Sequence, residues 1–418
     1  MYRWIILFAF LAFWPVSVFG QEKPAAAPPL EKLEALLLER SPVVAGSKAR
    51  VQAYQSMVSP SGALPDPMVE FMWQAVNFPK YTVGTAEMSM IGAEFRQGLL
   101  YPGKRKALKS AAQAEVGMRS AELDGVTRKL LRQLRISYAG IYALDRERNA
   151  LQSAQELLEM LNETAAIRYS TGEAEQEAVL KAQLELSRLL ERLDDLETIR
   201  KSYVAAINGL LDRPGDSPLG EVAALPPVTS LAAGLPSSES LDSPEVSVRE
   251  AAVKVAEKQL EVSKFELKPS FSFGTGFFYR GDLDHVATLR FGIEFPLWKK
   301  QKQIPMISAR KFELEMARQE LRETKADLRS EIFKLTADWD NASRQIRRYQ
   351  EGILPQTSAA LDAVRVQYLA GRGDFSAVIE DFNLWLEARI QLAKRESDRF
   401  TAWAELQYLA GREKGVQP

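Results

Sequence analysis

The chain has 418 residues, 46% hydrophobic and 26% charged, with a net charge of −1, one histidine and no cysteine. That excludes thiol catalysis, disulfides, zinc–thiolate sites and an acylated N-terminal cysteine, and the charge balance marks no nucleic-acid partner. The one histidine, His285, lies in a polar turn. So few catalytic side chains read as a non-enzyme with no cofactor.

In chain order, residues 1–20 read as a signal peptide. Met1-Tyr2-Arg3 is a short basic start, an apolar run extends from Trp4 to Phe13, and Val18-Phe19-Gly20 is a small-residue exit before Gln21. The alternative is an anchoring helix, for which the run is short against the roughly 20 residues a span needs. Residues 21–32 are Pro/Ala-rich and extended. A helix is expected from about Leu33 to Met57. Two short β-like runs follow, Met68 to Val76 and Ala86 to Gln97. From Lys104 to Tyr169 no proline interrupts a helical pattern, which predicts a rod of about 100 Å at 1.5 Å per residue. The chain turns at Tyr169-Ser170-Thr171-Gly172 and returns as a heptad helix through Val179, Ala182, Leu186, Leu189, Leu193 and Leu196.

The same plan is then written again. Tyr169 falls on Tyr368, Gly172 on Gly371 and Leu180 on Ile379 at one constant offset, and Ser41-Pro42 answers Ser243-Pro244. The predicted units are a first repeat at 33–213, a Pro/Gly/Ser-rich connector at 214–242, a second repeat at 243–411 and a tail at 412–418. The second strand pair, Ser270 to Tyr279 and Val286 to Phe295, alternates apolar residues with small or charged ones, a period of two. That pattern suits either a membrane β-barrel strand or a sandwich strand. The second rod keeps a seven-residue beat through Leu314, Leu321, Leu328, Leu335 and Ala342, and Pro355 is expected to kink or break it. Four strands cannot close a membrane barrel, since the smallest have about eight. Spanning therefore requires several chains around one barrel.

The duplication, the strand pair then long helix in each half, YPGKR at Tyr101 to Arg105, ILPQ at Ile353 to Gln356 and the paired Tyr-x-x-Gly turns resemble the TolC-type outer-membrane efflux factors. The resemblance covers about Leu33 to Gly411. It implies a mainly α fold with a membrane β-barrel: a homotrimer in a Gram-negative outer membrane, four strands per chain closing a twelve-stranded barrel, above a coiled-coil α-helical barrel in the periplasm. The implied function is a passive exit duct of a tripartite efflux system. Its partners would be a periplasmic adaptor, an inner-membrane pump of the RND type and outer-membrane lipid. The strings LPDPM (Leu64 to Met68) and MSMIG (Met88 to Gly92) look most like the branch serving heavy-metal pumps. The competing function is a periplasmic coiled-coil adaptor or scaffold without a barrel, although an adaptor would have one helical hairpin rather than a duplicated unit.

Three sets of residues follow. The resemblance makes the turns Tyr169, Ser170, Thr171 and Gly172, and Tyr368, Leu369, Ala370 and Gly371, adaptor-docking tips. It makes Glu380, Asp381 and, at the matching place in the first copy, Lys181 a periplasmic gate. The place six residues after the second glycine, often acidic in that family, is Ala377 here. The residues themselves suggest a lipid-headgroup girdle of Lys104, Arg105 and Lys106 with Lys299, Lys300 and Lys302. These cations open long helices against the helix dipole, in a position to meet anionic lipid. Met57, Met68, Met72, Met88 and Met90 cluster near the first strand pair. Packing accounts for them, though thioethers also suit soft metal ions. On this reading Met88 and Met90 share a strand face, as do Met68 and Met72.

Overall fold

The computed structural model describes residues 26–410, apart from 78, 174 and 229–242. The expected signal peptide and tail lie outside the described residues. The elements run α1 (Leu30–Arg40), α2 (Pro42–Ser61), β1 (Met68–Gln74), β2 (Met90–Leu99), α3 (Lys104–Ser170), α4 (Gln176–Leu210), α5 (Pro244–Lys264), β3 (Ser270–Tyr279), β4 (Val286–Glu294), α6 (Gln303–Arg348), α7 (Leu354–Leu369) and α8 (Phe375–Ala410). The duplication is therefore structural: helix, strand pair, long helix and return helix occur twice. No helix among the described residues is long and apolar enough to cross a membrane.

Four sequence expectations need correction. The helix expected over 33–57 is two helices. Ser41 precedes Pro42, whose ring disfavours helical backbone at the residue before it, and Ser41 is extended (φ −60°, ψ 119°). Pro355 does not break the second rod. One π-helical turn, Tyr349–Ile353, precedes it and α6 runs on into α7. The wider turn shifts the hydrogen-bond register just where proline brings no amide. β2 starts at Met90, so Met88 lies in the preceding loop and shares no strand face with it. Finally, Lys299, Lys300 and Lys302 do not open α6. They lie in the turn before Gln303, and only Lys302, the N-cap of α6, stands close to the positive end of the helix dipole.

The four strands form one antiparallel sheet in the order β1-β2-β3-β4, and among the described residues both edges, β1 and β4, are unpaired. The sheet stands at one end of the helical rods. Along the rods, one apolar cluster gathers Leu33, Leu37, Leu134 and Ile141, and a second, nearer the far end, gathers Leu151, Leu158, Leu161 and Phe382. On α6 the heptad residues Leu314, Leu328, Leu335 and Ala342 are buried as their spacing requires.

The first stretch of the connector is not a loose tether. Asp145 of α3 is wholly buried and accepts from Arg200 Nε of α4 at 2.6 Å and from the backbone amide of Val222 at 2.9 Å. Arg200 also donates to the Gly220 carbonyl. Glu221 accepts from Asn149 at 2.7 Å, and its carbonyl accepts from the amide of Ala27 at 2.9 Å. The N-terminal segment and residues 219–222 are thus bound together across the middle of the α3–α4 coil, with Leu219 and Val222 buried beneath.

Candidate functional site

At the far end from the sheet, both rods terminate in the same hydrogen-bond pattern. Thr171 N donates to Ile167 O (3.1 Å), Gly172 N to Tyr169 O (3.1 Å) and Glu173 N to Arg168 O (2.8 Å). In the second copy Ala370 N donates to Val366 O, Gly371 N to Tyr368 O and Arg372 N to Gln367 O, each at 3.0 Å. Gly172 and Gly371 have φ of 76° and 78°, the left-handed region that glycine enters without a Cβ clash. The two tips touch. Arg168 Nη1 donates to the Tyr368 carbonyl at 3.0 Å, and its guanidinium lies 5.0 Å from the centre of the Tyr368 ring.

The tips differ in what they expose. Tyr169 is 48% exposed whereas Tyr368 is 2% exposed, packed edge-on against Phe375. Burial raises the Tyr368 phenol above its ordinary pKa, with Arg168 opposing. Leu369 and Ala370 are exposed, as are Ser170 and Thr171, whose hydroxyls cap the carbonyls of Ile167 (2.6 Å) and Arg168 (3.0 Å). Arg168 was not legible as a tip residue, because its position in the second copy is occupied by Gln367.

The three expected gate residues are not brought together. Lys181 pairs with Glu177 at 2.7 Å and donates to Ser376 at 2.9 Å, tying α4 to the start of α8. Glu380 is exposed one turn further along α8, and Asp381 beside it is half-buried.

The basic clusters divide likewise. Lys104 forms a 2.8 Å ion pair with Glu266, and Arg105 Nε donates to the Gly62 carbonyl at 2.8 Å. Both knit the base of the sheet to the ends of α2 and α5. Lys106, Lys299, Lys300 and Lys302 remain exposed, the last three beside the exposed Leu297 and Trp298.

The sheet has two chemically distinct faces. On one, register aligns Val69 with Phe95, Thr275 and Leu289, and Phe71 with Ala93, Phe277 and Ala287. This face is apolar and open: Phe71 is 67% and Phe291 75% exposed. On the other face Glu70 of β1, Glu94 and Arg96 of β2 and Arg290 of β4 form a charge ladder that bridges over β3. Glu94, only 2% exposed, pairs with Arg290 (3.1 Å) and Arg96 (3.5 Å), and Arg96 lies 3.8 Å from Glu70. Glycines make room for the ladder. Gly274 lies under the Glu94 carboxylate, and the Phe278 ring covers Gly92 and Gly276. Period-two alternation put these charges on one face, but their pairing follows only from strand order.

Among known proteins, residues 235–412 match the family model "Outer membrane efflux protein". No curated protein matches the chain by sequence. Solved structures do match in fold. The outer membrane protein VceC of Vibrio cholerae is 16% identical with a TM-score of 0.76, over 91% of this chain and 96% of that one. The CmeC outer membrane channel of Campylobacter jejuni is 12% identical with a TM-score of 0.78, over 99% and 96%. CusC, described in connection with transmembrane channel formation, is 13% identical with a TM-score of 0.74, over 94% and 95%. Residues 235–412 thus match the outer membrane efflux protein model, and the chain as a whole shares the fold of these solved outer membrane proteins.

Proposed function

We propose that three copies of this chain form a passive exit duct across the outer membrane and periplasm. The observation that carries this reading is the sheet: an apolar outer face, a charged and glycine-lined inner face, and two unpaired edges. An open edge in lipid leaves backbone groups without partners, so the sheet must be closed by further strands. The helices also leave apolar faces for neighbouring copies to cover. α8 packs against α3, α6 and α7, whereas α4 packs chiefly against α3. That leaves Leu180, Leu184, Leu190 and Ile199 of α4 exposed, and Phe312 and Phe333 of α6 exposed elsewhere. Neighbouring copies cover these faces. Fractionation should place the mature protein in the outer membrane, and mass measurement in non-ionic detergent should give a trimer. A stable monomer, or recovery from the soluble periplasm, would favour a coiled-coil scaffold instead.

The adaptor docks at the tips, coupling the duct to an inner-membrane pump, here of the RND type. Gly172→Val with Gly371→Val forces a β-branched residue into positive φ at both turns, although open space or only a loose contact surrounds each. Efflux and adaptor cross-linking should fall several-fold while the trimer persists. Survival of both would remove the tips as the docking site. In the same reading Glu380 and Asp381 narrow the mouth beside the tips, and Lys181 acts through its tie to Ser376. The proposed cargo is a heavy-metal cation, supported by the LPDPM and MSMIG strings and by Met72 and Met90 on the inner face of the sheet. Deleting the gene should then lower metal tolerance, and an unchanged tolerance across copper, silver, zinc and cobalt would redirect the search to organic cargo.

The free lysines set the depth of the barrel. Lys106, Lys299, Lys300 and Lys302, with Trp298 at the same level, suit an anionic headgroup layer at roughly 1 kcal/mol per basic residue. Changing all four to glutamine should reduce insertion into anionic vesicles several-fold and into neutral vesicles much less. An equal effect in both would dismiss the girdle.

A further inference from the structure

Between α2, α3, α5, α6 and α8 lies a cleft of about 650 Å³, within the range of small-molecule sites, roughly 300–1,000 Å³. It is remote from the tips, the sheet and the lysines discussed above. Its floor is apolar, built by Leu123 and Val126 of α3 and Val248 of α5. Gly125 is part of that lining; even a single Cβ there would meet Pro244 at 3.5 Å.

The polar lining is lopsided. Four cations, Arg50, Arg119, Lys129 and Arg249, face two carboxylates, Glu122 and Glu245. Both carboxylates are engaged: Glu122 accepts from Arg119 Nη1 at 2.7 Å, and Glu245 accepts from the Tyr408 hydroxyl at 3.2 Å. Arg249 is held by Glu320 at 2.6 Å. Among the described residues Arg50 and Lys129 have no carboxylate partner. Arg119 is already held, its Nη1 by Glu122 and its Nη2 by Tyr54 and, at 3.8 Å, by Glu115, which leaves Arg50 and Lys129 as the available cations. The first turn of α5, Pro244 and Glu245, also lines the cleft and adds the positive end of a helix dipole.

We propose that this cleft binds a small amphiphilic organic anion. The anionic head would pair with Arg50 and Lys129, and an apolar body would cover Leu123, Val126 and Val248. An inorganic anion would leave the floor wet, and a neutral hydrocarbon would leave the donors unmet. The proposal does not depend on what the duct exports.

The test uses the full mature protein in non-ionic detergent, titrated with the fluorescent anion 8-anilinonaphthalene-1-sulfonate. Its uncharged relative N-phenyl-1-naphthylamine and inorganic phosphate serve as comparisons. A saturable component of one site per chain is expected, with at least about tenfold weaker affinity in Arg50→Gln/Lys129→Gln, equivalent to about 1.4 kcal/mol. Val126→Phe, which fills the floor, should abolish it. Circular dichroism and the oligomer mass report whether each variant is folded. The neutral relative should lack the component, and phosphate should not displace the sulfonate. Absence of a saturable component, indifference to both variants, equal binding of the neutral relative, or displacement by phosphate would each overturn the proposal.

Discussion

Replacing Asp145 with asparagine is expected to lower stability by roughly 3 kcal/mol. That is the low end of the range for removing one partner of a buried ion pair, because the Arg200 side chain keeps 21% exposure and can recruit water. Asparagine keeps an acceptor for the Val222 amide, so the loss reports the charge rather than the backbone bond. The check is the thermal midpoint of the detergent-solubilised protein, together with protease cleavage within 211–228, which should accelerate as the segment detaches. Asp145→Asn combined with Arg200→Met should recover part of the loss, since no cation is then left unpaired. Glu197→Gln, which breaks the fully exposed Lys201 pair, should leave the midpoint unchanged. Equal behaviour of the Asp145 and Glu197 variants would mean that the buried pair does not fasten this segment.

Gly92→Val is expected to abolish barrel assembly. A Cβ at Gly92 would collide with the Phe277 carbonyl oxygen and come within 2.7 Å of Phe278 Cα. Both belong to the adjoining strand, so the collision wedges β2 from β3 rather than displacing one flexible side chain. Overpacking of this kind costs about 1–3 kcal/mol where neighbours can yield, and a paired backbone yields little. Gly98 is the internal control. It lies on the same strand and face, but its Cβ would only touch Pro65 at 3.6 Å. Insertion into lipid vesicles, followed as a heat-sensitive oligomer band on gels, should be reduced more than about tenfold for Gly92→Val and little for Gly98→Val. Matching losses would show that glycine at these sites serves flexibility rather than close packing.

Much of the fold follows from periodicity, which is local and therefore written in the chain. The alternation from Ser270 to Tyr279 marks β3 at its observed bounds, and the proline-free helical pattern from Lys104 to Tyr169 marks α3 to within a residue. The tip glycines require positive φ because the helix must end there, and both copies close with the same three hydrogen bonds. Even the break at Ser41 was available in the proline that follows it.

What the sequence could not determine is which side chains meet across elements. Tyr169 and Tyr368 hold equivalent places in the repeat, yet one is open and the other buried, because only the second has Phe375 and the Arg168 of the other copy against it. Lys104 and Lys106 are equally basic, yet only Lys104 finds Glu266. Asp145 looks like one more acid on a charged helix until folding brings Arg200 and Val222 to it from distant positions. A repeating pattern tells each residue which face it occupies. Its charge partner, its burial and the cost of removing it depend on the neighbour that the topology supplies, and that was decided only in the tertiary structure.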